Sequence, residues 1–300
     1  ATDFPADRQK REKKREKIMT CERTSGLHIG GCTEHLCAAD VQTLLPGYFL
    51  LMLLNPPADA DFGKLPCDFS DGIWRGLSPQ RIEFAARTGA APLPCREWIA
   101  FHPDLFTGMP QENPLETCSF FAYHPSEALH LSQQERGILT EAIRQMRQEA
   151  SRQPDPYQHT ILVRHLSRLL GYTLRFYERQ FITRSPQAAP LLAQYRSYLR
   201  EWILQGNWGA QGPLSVQRCA HRFHLSPAYL EDLLRFETGY GHLSHLERQR
   251  LDIAKEKLSH PHASLARIAA ELGFSSPQGF QVFFRKTTGL SPRQYALRIH

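Results

Sequence analysis

The feature that most constrains this chain is an internal near-repeat in its C-terminal third. Leu225-Ser226-Pro227 leads to residues 233–239 (LLRFETG), and Ser276-Pro277 leads to residues 283–289 (FFRKTTG), at an offset of fifty residues. A short amphipathic segment and a tight turn stand before each copy. The repeat therefore predicts two units, each made of a helix, a turn and a second helix.

The second helix of the second copy carries the residue types that read DNA bases. Its apolar face is formed by phenylalanines, and the opposite face is formed by Gln278, Gln281, Val282 and Arg285. A glutamine side chain matches the donor and acceptor of adenine N6 and N7, and an arginine suits phosphate or guanine. We therefore expect this face to enter the major groove of double-stranded DNA.

The equivalent face of the first copy is acidic. Its three groove-facing positions are Ala228, Glu231 and Asp232, and Arg235 follows them. Carboxylates are repelled by the phosphates of DNA unless they accept a hydrogen bond from cytosine N4. Contacts to phosphate are expected from the basic and hydroxyl side chains of both copies, which are Arg218, Arg222, Arg235, Arg267, Ser276, Arg285 and Lys286.

A single connecting helix is predicted over residues 246–258, because Leu251, Ala254 and Leu258 recur at helical spacing. Basic residues, Arg250 among them, surround this stripe. A rigid connector of this kind can hold two recognition helices about one duplex turn apart, roughly 34 Å.

The distribution of charge favours a polyanionic partner for the same region. Fourteen basic and eight acidic side chains give residues 186–300 a net charge of +6, whereas residues 1–20 carry +3 and residues 21–185 carry −3. The whole-chain value of +6 is therefore an average over unlike pieces. Residues 1–20 are predicted to be a disordered basic tail.

The first two-thirds of the chain changes character near Ser132. Residues 21–120 contain short apolar stretches, such as 48–54 and 81–84, separated by Pro, Gly, Asp and Asn, which predicts an all-β barrel or sandwich. From Ser132, which forms a capping box with Glu135, the pattern is helical. A second helix is predicted over residues 157–181, followed by a linker at residues 185–195.

An apolar stripe runs along this second helix with spacings of 4, 3, 4 and 3. Its members are Leu162, Leu166, Leu169, Thr173 and Phe176. The simplest interpretation is a core face, but a stripe that follows a β unit is also a candidate for a helix-to-helix dimer contact. We predict a homodimer through this helix.

Residues 213–295 resemble the DNA-binding domain of the AraC/XylS family of transcriptional regulators. The resemblance rests on LSPAYLEDLLRFETG at 225–239, RLDIAKEKL at 250–258 and IAAELGFSSPQGFQVFFRKTTGLSPRQY at 268–295. FHPDLF at 101–106, FFAYHPSEALHLS at 120–132 and RFYERQFITR at 175–184 are similar to the sensing half of the family.

The resemblance implies an α+β chain with four parts. These are the tail at 1–20, a cupin-like effector-binding barrel with dimerisation helices at 21–184, the linker at 185–195, and an all-α double helix-turn-helix domain at 196–300. The implied partners are double-stranded DNA, a second copy of the chain, a small-molecule effector and, for an activator, RNA polymerase. A regulator controlled by a protein partner or by expression level alone is the alternative.

Catalysis, cofactors and metals are not predicted. A cupin enzyme needs a His-x-His pair to hold its metal, and none occurs before residue 200. Cys32, His35 and Cys37 lack a second ligand pair nearby. Seven irregularly spaced cysteines, no secretory signal and no apolar run longer than residues 48–54 predict a cytoplasmic protein that does not span a membrane.

Overall fold

The computed structural model describes residues 22–24, 26–31, 38–55, 62–89, 95–108, 113–260 and 264–299. The chain divides into two compact units, Ala1–Arg184 and Ser185–His300. The predicted tail at 1–20 and the Cys32, His35 and Cys37 cluster lie outside the described residues.

The first unit is built on a six-stranded antiparallel sheet with strand order β1-β2-β5-β3-β4-β6. The strands are β1 (Glu22–Thr24), β2 (Leu27–Gly31), β3 (Phe49–Leu54), β4 (Ile73–Leu77), β5 (Cys95–Phe101) and β6 (Leu129–His130). Among the described residues, β1 and β6 each pair on one side only, so the sheet is open. The cupin-like barrel is not confirmed, because edge strands of three and two residues offer few backbone groups with which to close one.

Helices interrupt the region that was predicted to be all-β. The α-helices described in the first unit are α1 (Ala38–Leu44), α2 (Pro79–Arg87), α3 (Gln133–Ala150) and the start of α4 (Gln158–Leu204). Residues 81–84, expected in the β unit, belong to α2. Ser78 starts this helix by accepting the backbone N–H of Arg81 at its Oγ, and Pro79 occupies the first helical position.

Both faces of the sheet are covered, which explains the uninterrupted apolar run in β3. On one face Leu50 and Met52 pack with Val41 and Ile82 of the first two helices. On the other face, Trp74 Nε1 donates a hydrogen bond to Thr173 Oγ1 of α4 at 3.0 Å. The core therefore fills two layers, one on each side of the sheet.

The capping box at the start of α3 is confirmed. Ser132 Oγ accepts the backbone N–H of Glu135 at 3.2 Å, and the Glu135 carboxylate accepts the backbone N–H of Ser132 at 2.9 Å. The helix ends at Ala150, four residues before Pro154.

Helix α4 is longer than predicted and passes through the segment assigned to a linker. It continues to Leu204 with Pro186 and Pro190 inside it. An interior proline costs about 3 kcal/mol, which is why the sequence favours a break there. Leu192 and Tyr195 lie in the core of the second unit, and this burial offsets the cost. The segment predicted to be a linker, 185–195, is therefore helical.

The apolar stripe of α4 is part of the core of its own unit. Each of its five side chains is at least 95 % buried in the single chain: Leu162, Leu166, Leu169, Thr173 and Phe176. These residues therefore have no exposed surface with which to form the predicted dimer contact, because the stripe already packs within the chain.

The second unit is helical. After the end of α4 it contains α5 (Asn207–Gln211), α6 (Val216–Arg222), α7 (Pro227–Thr238), α8 (His242–Leu258), α9 (Leu265–Glu271), α10 (Pro277–Thr288) and α11 (Pro292–Ile299). One cluster packs α4, α6 and α7 around Tyr195 and Leu230, and another packs α8, α9 and α10 around Phe280 and Phe284. Within the described ranges, no helix is both long enough and apolar enough to cross a bilayer.

Candidate nucleic-acid interface

The two helix-turn-helix copies close their turns with the same backbone hydrogen bond. In the first copy the N–H of Leu225 donates to the carbonyl of Ala220 at 2.9 Å, and in the second the N–H of Phe274 donates to the carbonyl of Ala269 at 2.8 Å. A bond across five residues at a helix end is the Schellman type of C-terminal cap. The repeat found in the sequence is thus a repeat of backbone geometry.

The central residue of each turn has a left-handed backbone conformation. His224 has φ 56° and Gly273 has φ 72°. A Cβ atom at Gly273 would also lie 2.4 Å from Cδ1 of Trp208. Glycine is therefore required in the second turn for two reasons, whereas the first turn holds a histidine at a modest cost in backbone strain.

Both recognition helices, α7 and α10, start with a serine cap followed by proline. Ser226 Oγ accepts the backbone N–H of Tyr229, and Ser276 Oγ accepts the backbone N–H of Gly279, each at 3.1 Å. Because the cap uses the oxygen of Ser276 as an acceptor, its hydroxyl hydrogen can still be donated to a phosphate.

The outer face of α10 is polar and open to solvent. Phe280 and Phe284 are completely buried beneath it. The predicted groove-facing residues Gln278, Gln281, Val282 and Arg285 are all exposed, as is Lys286. Val282 is 68 % exposed. The structure thus brings these five side chains to the surface.

On α7 one predicted groove-facing residue is engaged inside the protein. The carboxylate of Glu231 accepts the backbone N–H of His242 at 2.9 Å and the Nε–H of Arg235 at 3.1 Å. It therefore caps the start of α8 and pairs with the arginine that was expected to bind phosphate. Ala228 and Asp232 are partly exposed. The four-residue spacing between Glu231 and Arg235 is the sequence signal for this pair.

The connecting helix α8 begins at His242, four residues earlier than predicted. The His242 ring is buried between Tyr195 and Leu214: the Tyr195 hydroxyl is 2.9 Å from Nδ1, and the Leu214 carbonyl oxygen is 2.6 Å from Nε2. A carbonyl only accepts, so Nε2 carries the hydrogen and Nδ1 accepts from the tyrosine. This ring links the end of α4 to the first helix-turn-helix copy.

Arg250, expected on the basic surface of the connector, is only 8 % exposed. Its Nε and one terminal nitrogen donate to the carbonyl of Leu272 at 3.2 and 2.7 Å. The guanidinium lies between the rings of Trp208 and Phe274, 4.0 and 3.9 Å from their centroids. Burial lowers the pKa of Arg250 to about 10, so it stays charged at neutral pH.

Arg250 therefore caps the end of α9 and holds the turn that leads into α10. Sequence reasoning missed this role, although a signal was present. Arg250, Ala254 and Leu258 are spaced by four residues, which places the arginine on the buried face of the helix.

The remaining basic side chains expected on phosphate lie at the surface. Arg222 is exposed. Arg218 donates to Gln211 Oε1 at 2.9 Å and lies over the ring of Trp202, and Arg267 donates to Glu271 Oε1 at 2.8 Å. Exposed pairs of this kind contribute little to stability, so these arginines can exchange their partners for phosphates.

A cavity of about 720 Å³ lies beside α8 in the second unit. Its lining mixes basic and acidic side chains, among them Arg196, Arg248, Glu237 and Asp252. Burial, with help from the charges of Arg196 and Arg248, lowers the pKa of His245 at this site. Because the lining carries charges of both signs, it does not indicate whether a ligand would be anionic or cationic.

No group of three or more His, Cys, Asp or Glu side chains that could hold a metal ion occurs in the part of the chain that the structure describes.

Comparison with known proteins concerns mainly the second unit. Residues 219–298 match a family model described as a helix-turn-helix domain. The regulatory protein PocR of Salmonella typhimurium is 36 % identical over 87 residues, which is 29 % of this chain and 29 % of that protein. The arabinose operon regulatory protein of Escherichia coli K12 is 33 % identical over 86 residues, covering 29 % of this chain and 30 % of that protein.

A solved structure of a transcriptional regulator from Chromobacterium violaceum, described by its AraC-type DNA-binding domain, is 24 % identical. It covers 38 % of this chain and 96 % of that one, with a TM-score of 0.34. The chain matches 29–39 % of the length of the first three curated relatives.

Proposed function

We propose that the protein is a transcriptional regulator that binds double-stranded DNA in a sequence-specific manner through a helix-turn-helix domain of the AraC type in its second unit. The observation that carries the proposal is the outer face of α10. Gln278, Gln281 and Arg285 are exposed there, above a fully buried phenylalanine layer, and their side chains make no hydrogen bond to any other described residue.

The division of roles follows from the chemistry of each side chain. We assign base contacts to Gln278, Gln281 and Val282 of α10 and to Ala228 and Asp232 of α7. Glu231 is left out of this set because its carboxylate caps α8. Phosphate contacts are assigned to Arg218, Arg222, Arg235, Arg267, Ser276, Arg285 and Lys286.

The test is selection of bound sequences from a random pool of duplex DNA by the full chain at about 150 mM salt, followed by footprinting of the enriched site. A discrete protected site is expected. Failure to enrich any sequence would contradict the proposal.

Two variants then separate base reading from phosphate binding. Gln278→Ala should relax the preference at one base position, at a cost of about 1–3 kcal/mol for the selected sequence. Arg285→Ala should weaken binding to all sequences and lower the slope of log K against log salt by about one. Gln80→Ala and Arg87→Ala, at exposed positions of α2, are the matched controls and should change neither quantity.

The proposal for the first unit is that it binds a small-molecule effector and forms a homodimer, and that effector binding shifts the equilibrium between two arrangements of the dimer. The apolar stripe of α4 is not the proposed dimer contact, because it is buried within the single chain. RNA polymerase is a further partner if the protein activates transcription. Control by a protein partner or by expression level is the alternative, and a cytoplasmic location stays a prediction.

A further inference from the structure

The first unit contains an arginine whose buried Nε has no hydrogen-bond partner among the described residues. Arg75 lies in β4, between Trp74 and Gly76 in the middle of the strand. Its side chain is half-buried, and its Nε is completely buried without a hydrogen-bond partner among the described residues. Withdrawing an arginine from water without a partner is costly, so such a group calls for an explanation.

Two other buried or half-buried arginines of the same unit, Arg184 and Arg179, are paired with carboxylates. Arg184 donates to both oxygens of Asp68, at 3.0 and 2.6 Å. Arg179 donates to both oxygens of Glu135, at 2.9 and 2.7 Å. In both pairs the guanidinium donates to the two oxygens of one carboxylate. The Nε of Arg75 has no such acceptor among the described residues.

The surroundings of Arg75 add further positive charge and aromatic surface. Arg81 donates from Nε and a terminal nitrogen to the carbonyl of Ala122, at 3.1 and 2.6 Å. The Tyr177 side chain interacts electrostatically with Arg75, and its ring stacks on Phe120 with 5.5 Å between centroids. Arg81 and Tyr177 thus both contact the segment 120–127, which also contains His124 and Glu127.

The charges around this segment do not balance. The Glu127 carboxylate accepts the backbone N–H of His124 at 2.6 Å. Burial, with a smaller contribution from the charge of Arg81, lowers the pKa of Arg75 to about 10. Burial also lowers the pKa of His124, and Arg81 and Arg75 act in the same direction. Two arginines, Arg75 and Arg81, and one carboxylate, Glu127, therefore act on His124, and the sum of their charges is positive.

We propose that Arg75 anchors a binding site for a small oxyanion, a carboxylate or phosphate group, held by the guanidinium fork beside Tyr177 and Arg81. The inference that this is the effector site rests on the proposed function. The anion site itself is inferred from the residues of the first unit alone. The planar fork of an arginine matches both groups with two parallel hydrogen bonds.

The experiment is thermal unfolding of the full chain without DNA, at constant ionic strength set with sodium chloride. Sodium acetate, sodium succinate and sodium benzoate form the carboxylate arm, inorganic phosphate and phenyl phosphate form the phosphate arm, and benzamide is the uncharged control. A ligand that binds only the folded state raises the midpoint with a saturable dependence on concentration. We expect such a rise in one arm and none with benzamide.

The matched variants are Arg75→Met, which removes the charge at similar length, and Arg87→Met, which removes an exposed arginine of α2. Arg75→Met should weaken anion affinity at least tenfold, and Arg87→Met should leave it unchanged. Circular dichroism checks that Arg75→Met is folded, and Arg75→Gln serves in its place if it is not.

A saturable rise that persists in the Arg75 variant would overturn the proposal, as would the absence of a saturable rise with all five anions. Because no DNA is present, these outcomes leave the test of DNA binding independent.

Discussion

Arg250 and Arg285 are the same residue type in the same unit, and their surroundings give them different tasks. Arg250 is buried between Trp208 and Phe274, and its guanidinium donates hydrogen bonds to the Leu272 carbonyl. Arg285 is exposed on α10, so its hydrogen-bond donors are open to solvent. The difference arises from packing, because one guanidinium has lost its water and the other has not.

Replacing Arg250 with lysine should destabilise the second unit. A lysine keeps the charge but loses the planar stacking and the paired donors, at a cost of about 2 kcal/mol in the free energy of unfolding. Urea unfolding of the full chain measures this cost. Arg222→Lys, at an exposed position of α6, is the control and should change stability by less than about 0.5 kcal/mol. Equal losses in both variants would contradict the assigned role.

The Asp68–Arg184 pair predicts a pH dependence for the first unit. Burial raises the pKa of Asp68, but the hydrogen bonds from Arg184 and the Leu65 backbone N–H, with the charge of Arg184, lower it below its ordinary value of 3.8. A lowered carboxyl pKa stabilises the fold above the unfolded value, and this contribution is lost as pH falls through the folded value.

Asp68→Asn should therefore destabilise the chain by about 3–5 kcal/mol at neutral pH, because Arg184 is left buried without its carboxylate. The difference in unfolding free energy between the two proteins should shrink as the pH falls below 3.8. Denaturant unfolding at several pH values measures it. A difference that stays constant down to acid pH would show that the carboxylate charge is not what stabilises this site.

At the scale of elements, the two turns show how one backbone geometry accepts different residues. His224 and Gly273 occupy the same left-handed position; His224 is exposed, whereas Trp208 packs against Gly273. The neighbouring helix, rather than the turn itself, therefore decides whether a side chain fits.

Substitutions at these two positions should have unequal effects on stability. His224→Gly relieves left-handed strain but adds backbone freedom to the unfolded chain, so stability should change by less than about 1 kcal/mol. Gly273→Ala adds both strain and a clash with Trp208, and should cost about 2–4 kcal/mol. Thermal unfolding of both variants compares them, and similar losses would argue against the role of Trp208.

At the scale of the whole molecule, the second unit has its own hydrophobic core, and the end of α4 is part of it. Leu192, Tyr195 and Leu199 pack with residues of α6 and α7. A domain cut at residue 196, where the sequence placed the boundary, would remove Leu192 and Tyr195 from this core.

A fragment of residues 185–300 should accordingly unfold cooperatively, and a fragment of residues 205–300 should not. The shorter fragment lacks Leu192, Tyr195, Leu199 and Trp202, and with them one side of the first helix-turn-helix core. Circular dichroism during thermal unfolding distinguishes the two. Equally sharp transitions in both fragments would show that the end of α4 is not needed.

Much of the second unit could be predicted from local signals. Ser-Pro caps, the spacing of Phe280 and Phe284, and the repeated turn are each read within a few residues of chain. The first unit was less predictable, because α1, α2 and the open sheet depend on pairings between distant segments. The role of Glu231 also required its distant partner, the N–H of His242.

The sequence by itself determined which helices carry the polar outer face and which side chains lie beneath it, because helical periodicity separates them locally. The tertiary structure decided which arginines are exposed and which are buried, that α4 continues through two prolines, and that its apolar stripe packs in its own unit. The physical reason is that burial and pairing are properties of segments brought together from far apart in the chain, and local spacing does not record the partner.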